Sequence, residues 1–370
     1  MELKVDSNVL VACLGKLNKI ISNRPPIESL NNLLVHVAVD HMVIAASDGE
    51  IYMEISIPCE CGDSFGFMVP PTHFIPLVSD LPAQSLRFVF NNNNCTVSHE
   101  NGHFSLPVDW DINRFPLPPS NNTDAVINLL PLDIFCNSYA LIVPFVEKPD
   151  ESIPSVFASV NFDLTEKGLC VVCSNRSALA IREMTAENIV PTSFMISSKA
   201  VSLFKSFKDL PAETEVTVKN DSCFVFIETE SMKMIVRKSE GRFPDYRTVI
   251  PSHFNYMAEV NRGALKTSLL RMNSICGNHV IVASFDEGTL RLTAEDIDFD
   301  IHSEDTISCE FTGDNLVVGF HNVMLQNAIK VLPAESIKID MVAPDKAVKI
   351  TPLTDDTSIR DTIIMSPMVV

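Results

Sequence analysis

No stretch of this 370-residue sequence approaches the ~20 uninterrupted apolar residues that a membrane span requires, so a helical membrane protein is excluded. The opening Met1-Glu2-Leu3-Lys4-Val5-Asp6 lacks the basic-then-apolar layout of a signal peptide, and a cytoplasmic location is expected. The ten cysteines follow no spacing framework and read as small buried hydrophobes rather than disulfides. Neither a nucleophile elbow nor a Gly-rich phosphate loop is present, and the nine histidines are dispersed, so an enzyme has no constellation to stand on and no cofactor is expected. Basic charge is also scarce. With 28 Lys and Arg against 47 Asp and Glu, the net charge of -19 argues at first sight against a nucleic-acid partner. What is abundant is apolar material: 46% hydrophobic against 20% charged residues describes a globular chain, and its length invites two or three domains.

Internal repetition decides the organisation. Three segments with apolar residues at helical spacing each stop at Leu-Pro, where proline forbids continuation: residues 72–82, 198–211 and 322–333. An amphipathic helix candidate opens each repeat, at Asn8 to Ser22, Leu132 to Val146 and Arg262 to Cys276. In the first, Val9, Cys13, Leu17 and Ile20 fall on one stripe, with Lys16 and Lys19 off it. A hairpin-like strand pair follows each: Leu33 to Ala46 into Ile51 to Ile57, Val156 to Leu164 into Leu169 to Arg182, and Val280 to Phe285 into Thr289 to Ile301. Asp48-Gly49, Lys167-Gly168 and Glu287-Gly288 supply turns, and more strand follows each Leu-Pro. Arg114-Phe115-Pro116 closes the first repeat as Arg242-Phe243-Pro244 closes the second. The expectation is an α+β fold of three repeated modules, 1–123, 124–251 and 252–370, each with two helices packed on β-sheets.

The placement of the charges reverses the expectation for nucleic acid. The six helix candidates hold nine basic residues (Lys16, Lys19, Lys199, Lys205, Lys208, Arg262, Lys266, Arg271 and Lys330) against three acids, Asp80, Asp133 and Asp209. If these helices share one surface, it is positive while the exterior is negative, which suits phosphate contact. No zinc-finger spacing, RNP-type aromatic strand or Asn/Gln cluster supports base readout, so duplex DNA without sequence preference is the expected ligand. Unlike ends let such an array close head to tail, two chains giving a ring without bare sheet edges.

At this point the sequence resembles a known family, the bacterial sliding clamps, which are β subunits of DNA polymerase III. The residues that carry the likeness are Gly241-Arg242-Phe243-Pro244-Asp245-Tyr246-Arg247-Thr248-Val249-Ile250-Pro251, with Asn23-Arg24-Pro25, Asn32-Leu33-Leu34, Val318-Gly319-Phe320 and Met365-Ser366-Pro367-Met368. The resemblance implies a head-to-tail homodimer of three-domain chains closing into a ring around DNA, without catalytic activity. It implies tethering of the replicative polymerase, the clamp loader and repair proteins through short Leu/Phe-containing motifs. Their pocket would fall on Phe157, Ser174, Leu179, Pro244, Arg247, Val249, His321, Met324, Met365, Pro367 and Met368. Arg24 would touch DNA, and the ring seam would use Phe104 and Leu106 against Ser274 and Ile275. Two departures matter. Asn175-Arg176-Ser177-Ala178-Leu179 stands where the family usually has Asp-Gly-His-Arg-Leu, and the loop 148–154 carries more acid than base, so DNA grip there should be weaker. The alternatives are a divergent second clamp with restricted partners, or an interaction scaffold unrelated to DNA.

Two other features invite sharper readings. Cys170 and Cys173 form a Cys-x-x-Cys, but three residues apart on a strand they face opposite ways and read as buried structural cysteines. Asp296, Asp298 and Asp300 alternate with apolar residues as if on one strand face, where a solvated surface is favoured over a cation site; no metal is expected.

Overall fold

A computed structural model describes the chain apart from residues 23–24, 120–123, 140, 142, 149, 151, 277–279 and 297–298, and the side chains of Val143, Ser274 and Cys276. The first repeat runs through strands β1 (Glu2–Asp6), β2 (Leu33–Val37), β3 (His41–Ser47), β4 (Ile51–Pro58), β5 (Glu60–Cys61), β6 (Phe65–Val69), β7 (Ser85–Asn91), β8 (Asn94–His99) and β9 (Gly102–Pro107). Helix α1 (Ser7–Leu17) follows β1, and α2 (Pro71–Ser79) follows β6. The second repeat has β10 (Val126–Pro131), α3 (Leu132–Asn137), β11 (Ser159–Thr165), β12 (Gly168–Ser174), β13 (Ala178–Thr185), β14 (Thr192–Ser197), α4 (Ser198–Ser202), β15 (Glu215–Asn220), β16 (Phe224–Glu228) and β17 (Met232–Arg237). The third has β18 (Tyr256–Asn261), α5 (Arg262–Cys276), β19 (Val280–Asp286), β20 (Thr289–Asp296), β21 (Ile301–Thr312), β22 (Leu316–His321), α6 (Asn322–Val331), β23 (Ser336–Met341), β24 (Val348–Leu353) and β25 (Ile359–Met365).

Each repeat is therefore one motif used twice: a strand, a helix and a three-strand meander. The pairing repeats as well. The orders β4-β3-β2-β6, β13-β12-β11-β14 and β21-β20-β19-β22 match, as do β1-β7-β8-β9, β10-β15-β16-β17 and β18-β23-β24-β25. The turn glycines supply the left-handed backbone that tight connections need: Gly49, between β3 and β4, has φ +96°, Gly168, at the start of β12, +135°, and Gly288, between β19 and β20, +77°.

The described chain gathers into two compact units. One comprises Met1–Cys136 with Leu203–Lys238, the other Asn137–Ser202 with Ser239–Val370. The first holds a five-stranded sheet, β5-β1-β7-β8-β9, and an eight-stranded one in which β17 joins β4; the second holds a twelve-stranded sheet in which β13 joins β25. The division falls inside the middle repeat, between its two sheet segments: β10 with β15, β16 and β17 belongs to the first unit, and β11 to β14 to the second.

Local chemistry explains the elements. In β1 the alternation Glu2-Leu3-Lys4-Val5-Asp6 buries Leu3 and Val5 and exposes the charged residues between them. Asp6 then caps α1, its carboxylate accepting from the backbone N–H groups of Asn8 (2.9 Å) and Val9 (3.1 Å). Helix α1 buries Leu10, Cys13, Leu14 and Leu17, one stripe at helical spacing that rests beside α2. In the second repeat Phe135 stacks on Phe204 with ring centroids 4.2 Å apart and meets Phe207 edge-on at 5.3 Å. In the third, α5 lies against α6.

Three expectations need correction. The helix expected over Leu132 to Val146 is helical in its first turn and a half, Leu132–Asn137, and returns as a single 3-10 turn at Val143–Phe145, where Pro144 has no N–H to give a helical ladder and its ring crowds the preceding turn. The helix expected after Ser198 gives way to a 3-10 turn at Leu203–Phe207, where the Ser202 hydroxyl donates to the Lys199 carbonyl at 2.7 Å and competes with the helical ladder. In each repeat one expected strand is really two: Leu33 to Ala46 is β2 and β3, Leu169 to Arg182 is β12 and β13, and Thr289 to Ile301 is β20 and the start of β21. In particular Asp296 ends β20 and Asp300 sits in the following turn at φ +54°, so the three aspartates do not share a strand face; Asp298 lies outside the described residues.

Candidate functional site

The twelve-stranded sheet carries an open cavity of about 310 Å³ where the hairpin turn between β12 and β13 meets the loop after Glu240. Its floor is apolar. Leu179, Tyr246 and Ile364 are buried together with Val172 and Ile181, and Phe243 and Ala347 pack on them. Of the residues that the resemblance places in the pocket, Phe157, Ser174, Leu179, Pro244 and Val249 line this cavity, joined by Arg176, Ser177, Ala178, Phe243, Asp245, Tyr246, Ala347, Ile364 and Ser366. Phe243 and Tyr246 belong to the sequence run that carries the family likeness, whereas Ile364, brought in by pairing with Leu179, and Ala347, just before β24, give no signal in the sequence.

The other expected pocket residues lie around it rather than in it. Met365 is 1% exposed, and its side chain belongs to the sheet core rather than to the cavity wall. His321 precedes α6, and its buried Nδ1 makes no hydrogen bond among the described residues. Met324, on α6, accepts a contact at Sδ from the Asn175 carboxamide at 3.1 Å. Pro367 is half-buried and Met368 exposed, and the tail is fastened by the Met368 N–H donating to the Gly319 carbonyl at 2.8 Å. A Cβ on Gly319 would lie 2.7 Å from the Met368 carbonyl oxygen, which gives the glycine of Val318-Gly319-Phe320 its physical reason.

Arg247 braces the loop from outside the cavity. Its guanidinium donates to Asp163 at 2.9 Å and lies over the Tyr246 ring at 4.6 Å, and Asp163 first of all holds it more firmly protonated. The Tyr246 hydroxyl reaches Asp163 at 3.4 Å and the Cys170 thiol at 3.2 Å. Burial pushes Cys170 up to about 11 and drives the Tyr246 phenol up as well, so both stay neutral. Cys170 is a structural thiol of this loop, and Cys173 is fully buried.

The basic helix residues divide. Lys19, Lys199, Lys205, Lys208, Lys266 and Lys330 are exposed. Lys16 is half-covered and lies 3.2 Å from the carboxylate of Asp209. Arg271 is exposed but pairs with Asp305, its Nε at 3.0 Å. Arg262 does not fit a phosphate role: its guanidinium donates to the carbonyls of Ala334 and Ile329, fastening the start of α5 to the end of α6. Arg24 lies outside the described residues.

Of the seam residues, Phe104 is half-buried on β9 while Leu106 is 4% exposed and faces its own core, so within this pair Phe104 alone offers side-chain surface. Ile275 is half-buried on α5, and the Ser274 side chain lies outside the described residues.

Comparison with known proteins agrees along the chain. Residues 1–118 match the model for the DNA polymerase III beta subunit N-terminal domain, and residues 247–366 that for its C-terminal domain. The beta sliding clamp of Staphylococcus epidermidis is 22% identical over 371 aligned positions, covering 96% of this chain and 97% of that protein. The DNA polymerase III beta subunit of Thermotoga maritima superposes with a TM-score of 0.91 at 22% identity, covering 100% of this chain and 99% of the other. A DnaN sliding clamp from Pseudomonas aeruginosa, solved bound to griselimycin, gives 0.92 at 16% identity over the full length of both.

Proposed function

This chain belongs to the DNA polymerase III beta subunit family, and on that premise we propose how it works. It is a DNA sliding clamp, which sets aside a scaffold unrelated to DNA. Our reading is of three modules, 1–123, 124–251 and 252–370, in a cytoplasmic, non-catalytic processivity factor. Two chains close head to tail around duplex DNA, and the cavity on the twelve-stranded sheet takes short apolar motifs of polymerase, loader and repair proteins. Among the described residues no helix is long and apolar enough to cross a membrane.

The observation that carries ring closure is a rule of strand pairing. The last strand of the second module, β17, pairs antiparallel with β4 of the first; the last strand of the third, β25, pairs with β13 of the second. Since β4, β13 and β21 hold the same position in their modules, the rule continued asks β9 of the first module to pair with β21 of a third. Both edges are available among the described residues: β9 pairs only with β8, and Ile301–Ser308 of β21 only with β20. Within one chain these two edges are not paired with each other among the described residues, whereas two chains meet the demand reciprocally, leaving no bare edge at either junction.

Phosphate contact then falls to the exposed lysines, and without base readout it carries no sequence preference. Sedimentation at micromolar concentration tests closure: a dimer is expected, and a Phe104→Arg, Ile275→Arg variant should sediment as a folded monomer. Once loaded, the wild type should be retained on nicked circular DNA and lost on linearisation. Equal loss from both topologies would overturn the reading.

A further inference from the structure

We propose that Arg176 determines which peptides the cavity accepts, selecting segments with a carboxylate beside their apolar anchors. The proposal rests on the pocket reading above and deepens it.

Arg176 is the single cation lining the cavity among the described residues, in a wall otherwise formed largely by apolar and small side chains. It stands at the tip of the β12–β13 turn with φ at +70°, a backbone conformation that side chains other than glycine, asparagine and aspartate rarely adopt. The turn is fixed from both sides. The Ser174 hydroxyl accepts from the Arg176 N–H at 3.1 Å and donates to the Ala178 carbonyl at 2.9 Å, while the Asn175 carboxamide accepts from the Ala178 N–H at 2.8 Å. The same carboxamide reaches Met324 on α6. A held backbone therefore presents a long cationic side chain at the rim of an apolar hole.

The guanidinium is barely engaged. Among the described residues its one ion pair is with Glu147 at 3.5 Å, the side chain is 58% exposed, and that long contact engages few of its five N–H donors. An incoming carboxylate can take the bidentate geometry that Glu147 does not provide at this distance. The other charged lining residue, Asp245, is tied into its own turn, accepting from the Arg247 N–H at 3.3 Å, and it disfavours a second anion further along the loop. The occupant that matches this arrangement is one carboxylate next to Leu- or Phe-type anchors. A neutral or a basic flank matches it less well.

Fluorescence polarisation on the full-length protein tests this with labelled peptides carrying Leu and Phe anchors, identical except for Glu, Gln or Lys at each flanking position in turn. Wild type should bind one Glu peptide about three- to fivefold more tightly than its Gln counterpart, the range of a partly exposed ion pair, and the difference should shrink at about 1 M salt. Arg176→Gln should erase the preference while still binding the Gln peptide, Arg176→Glu should turn it toward Lys, and Glu147→Gln should strengthen binding of the Glu peptide. Equal binding of Glu and Gln peptides by wild type, or a preference that survives in Arg176→Gln, overturns the proposal and leaves the pocket standing. Binding of none of the peptides overturns the pocket reading with it.

Discussion

Arg182 and Asp361 form a buried, bidentate ion pair across β13 and β25, the two strands that join the second repeat to the third. Arg182 Nε and Nη2 donate to the two Asp361 oxygens at 2.7 and 2.8 Å, and the side chains are 6% and 1% exposed. The third donor, Nη1, reaches the Asn137 carbonyl at 2.6 Å, so little of either group is left unsatisfied. Asp361→Asn preserves shape but strands the guanidinium charge away from water. Breaking one partner of a buried pair costs about 3 to 5 kcal/mol, whereas replacing both with apolar residues of similar volume is close to neutral. Each of Asp361→Asn and Arg182→Met should therefore lower the urea midpoint of the transition containing β13 and β25 by about 1 to 2 M, taking roughly 3 kcal/mol per M as the slope. The double variant Arg182→Met, Asp361→Leu should recover most of that loss, giving a coupling energy of about 3 kcal/mol or more. Peptide binding should follow stability, because Leu179 and Ile364, on the same two strands, line the cavity. Single variants that each cost less than about 1 kcal/mol, with an additive double, would show that the pair is solvated and refute the reasoning.

Other perturbations have definite outcomes. Gly319→Val should displace the Met368 segment it would clash with, weakening peptide binding while circular dichroism and dimerisation stay unchanged. Gly168→Ala should cost about 2 to 3 kcal/mol in chemical denaturation, because a Cβ there would lie 2.0 Å from the Met184 carbonyl oxygen at a φ of +135°. Lys266→Glu and Lys330→Glu should each flatten the salt dependence of DNA binding by about one unit of slope, while Arg262→Glu should instead lower thermal stability. Burial raises the thiols of Cys13 and Cys95 to about 12 and those of Cys136 and Cys170 to about 11, so at pH 8 they remain protonated and inert; a thiol reagent should label exposed Cys223 first and these four only on unfolding.

The repeat is legible in the sequence because proline and glycine punctuate it. The Leu-Pro stops and the glycines at 49, 168 and 288 lie where helices must end and backbones must turn left-handed, and those positions are readable without a structure. Where a turn uses a non-glycine residue, the signal vanishes. Arg176 at φ +70° and Asp300 at φ +54° divide what reads as continuous strand, and neither an arginine between Asn175 and Ser177 nor an aspartate between Phe299 and Ile301 advertises it. The cavity is legible to the same degree. Its loop wall, Phe243 to Val249, is a contiguous run and stands out, while Ile364 is brought in by strand pairing across a long sequence separation, as Leu179↔Ile364 shows, and Ala347 by the loop that enters β24; periodicity along one strand does not reveal such neighbours. Arg262 shows the limit of counting charges: an arginine at a helix start looks like a surface cation, yet its neighbours are carbonyls at the end of another helix.

The pairing rule on which the proposed ring rests also needs a reason why the repeats do not pair out of order, since their strands share one topology. The joining strands differ in charge. At β4–β17 the one opposite-charge pair places Glu54 against Lys233, acid on the earlier module and base on the later. At β13–β25 there are two pairs with opposite sense to one another, Arg182 against Asp361 and Glu183 against Arg360, and the first of them is buried. The remaining edge of β21 carries Glu304 and Asp305 within Ile301–Ser308, and β9 offers no acid to oppose them, only His103 between small or apolar residues. A slip that set β25 against β21 would bring Asp361 toward these carboxylates, and one that set β9 against β13 would leave Arg182 buried without a partner, a cost of several kcal/mol. Wrong joints are thus penalised more heavily than right ones are rewarded, which would keep repeats of one topology in a fixed order around the proposed ring.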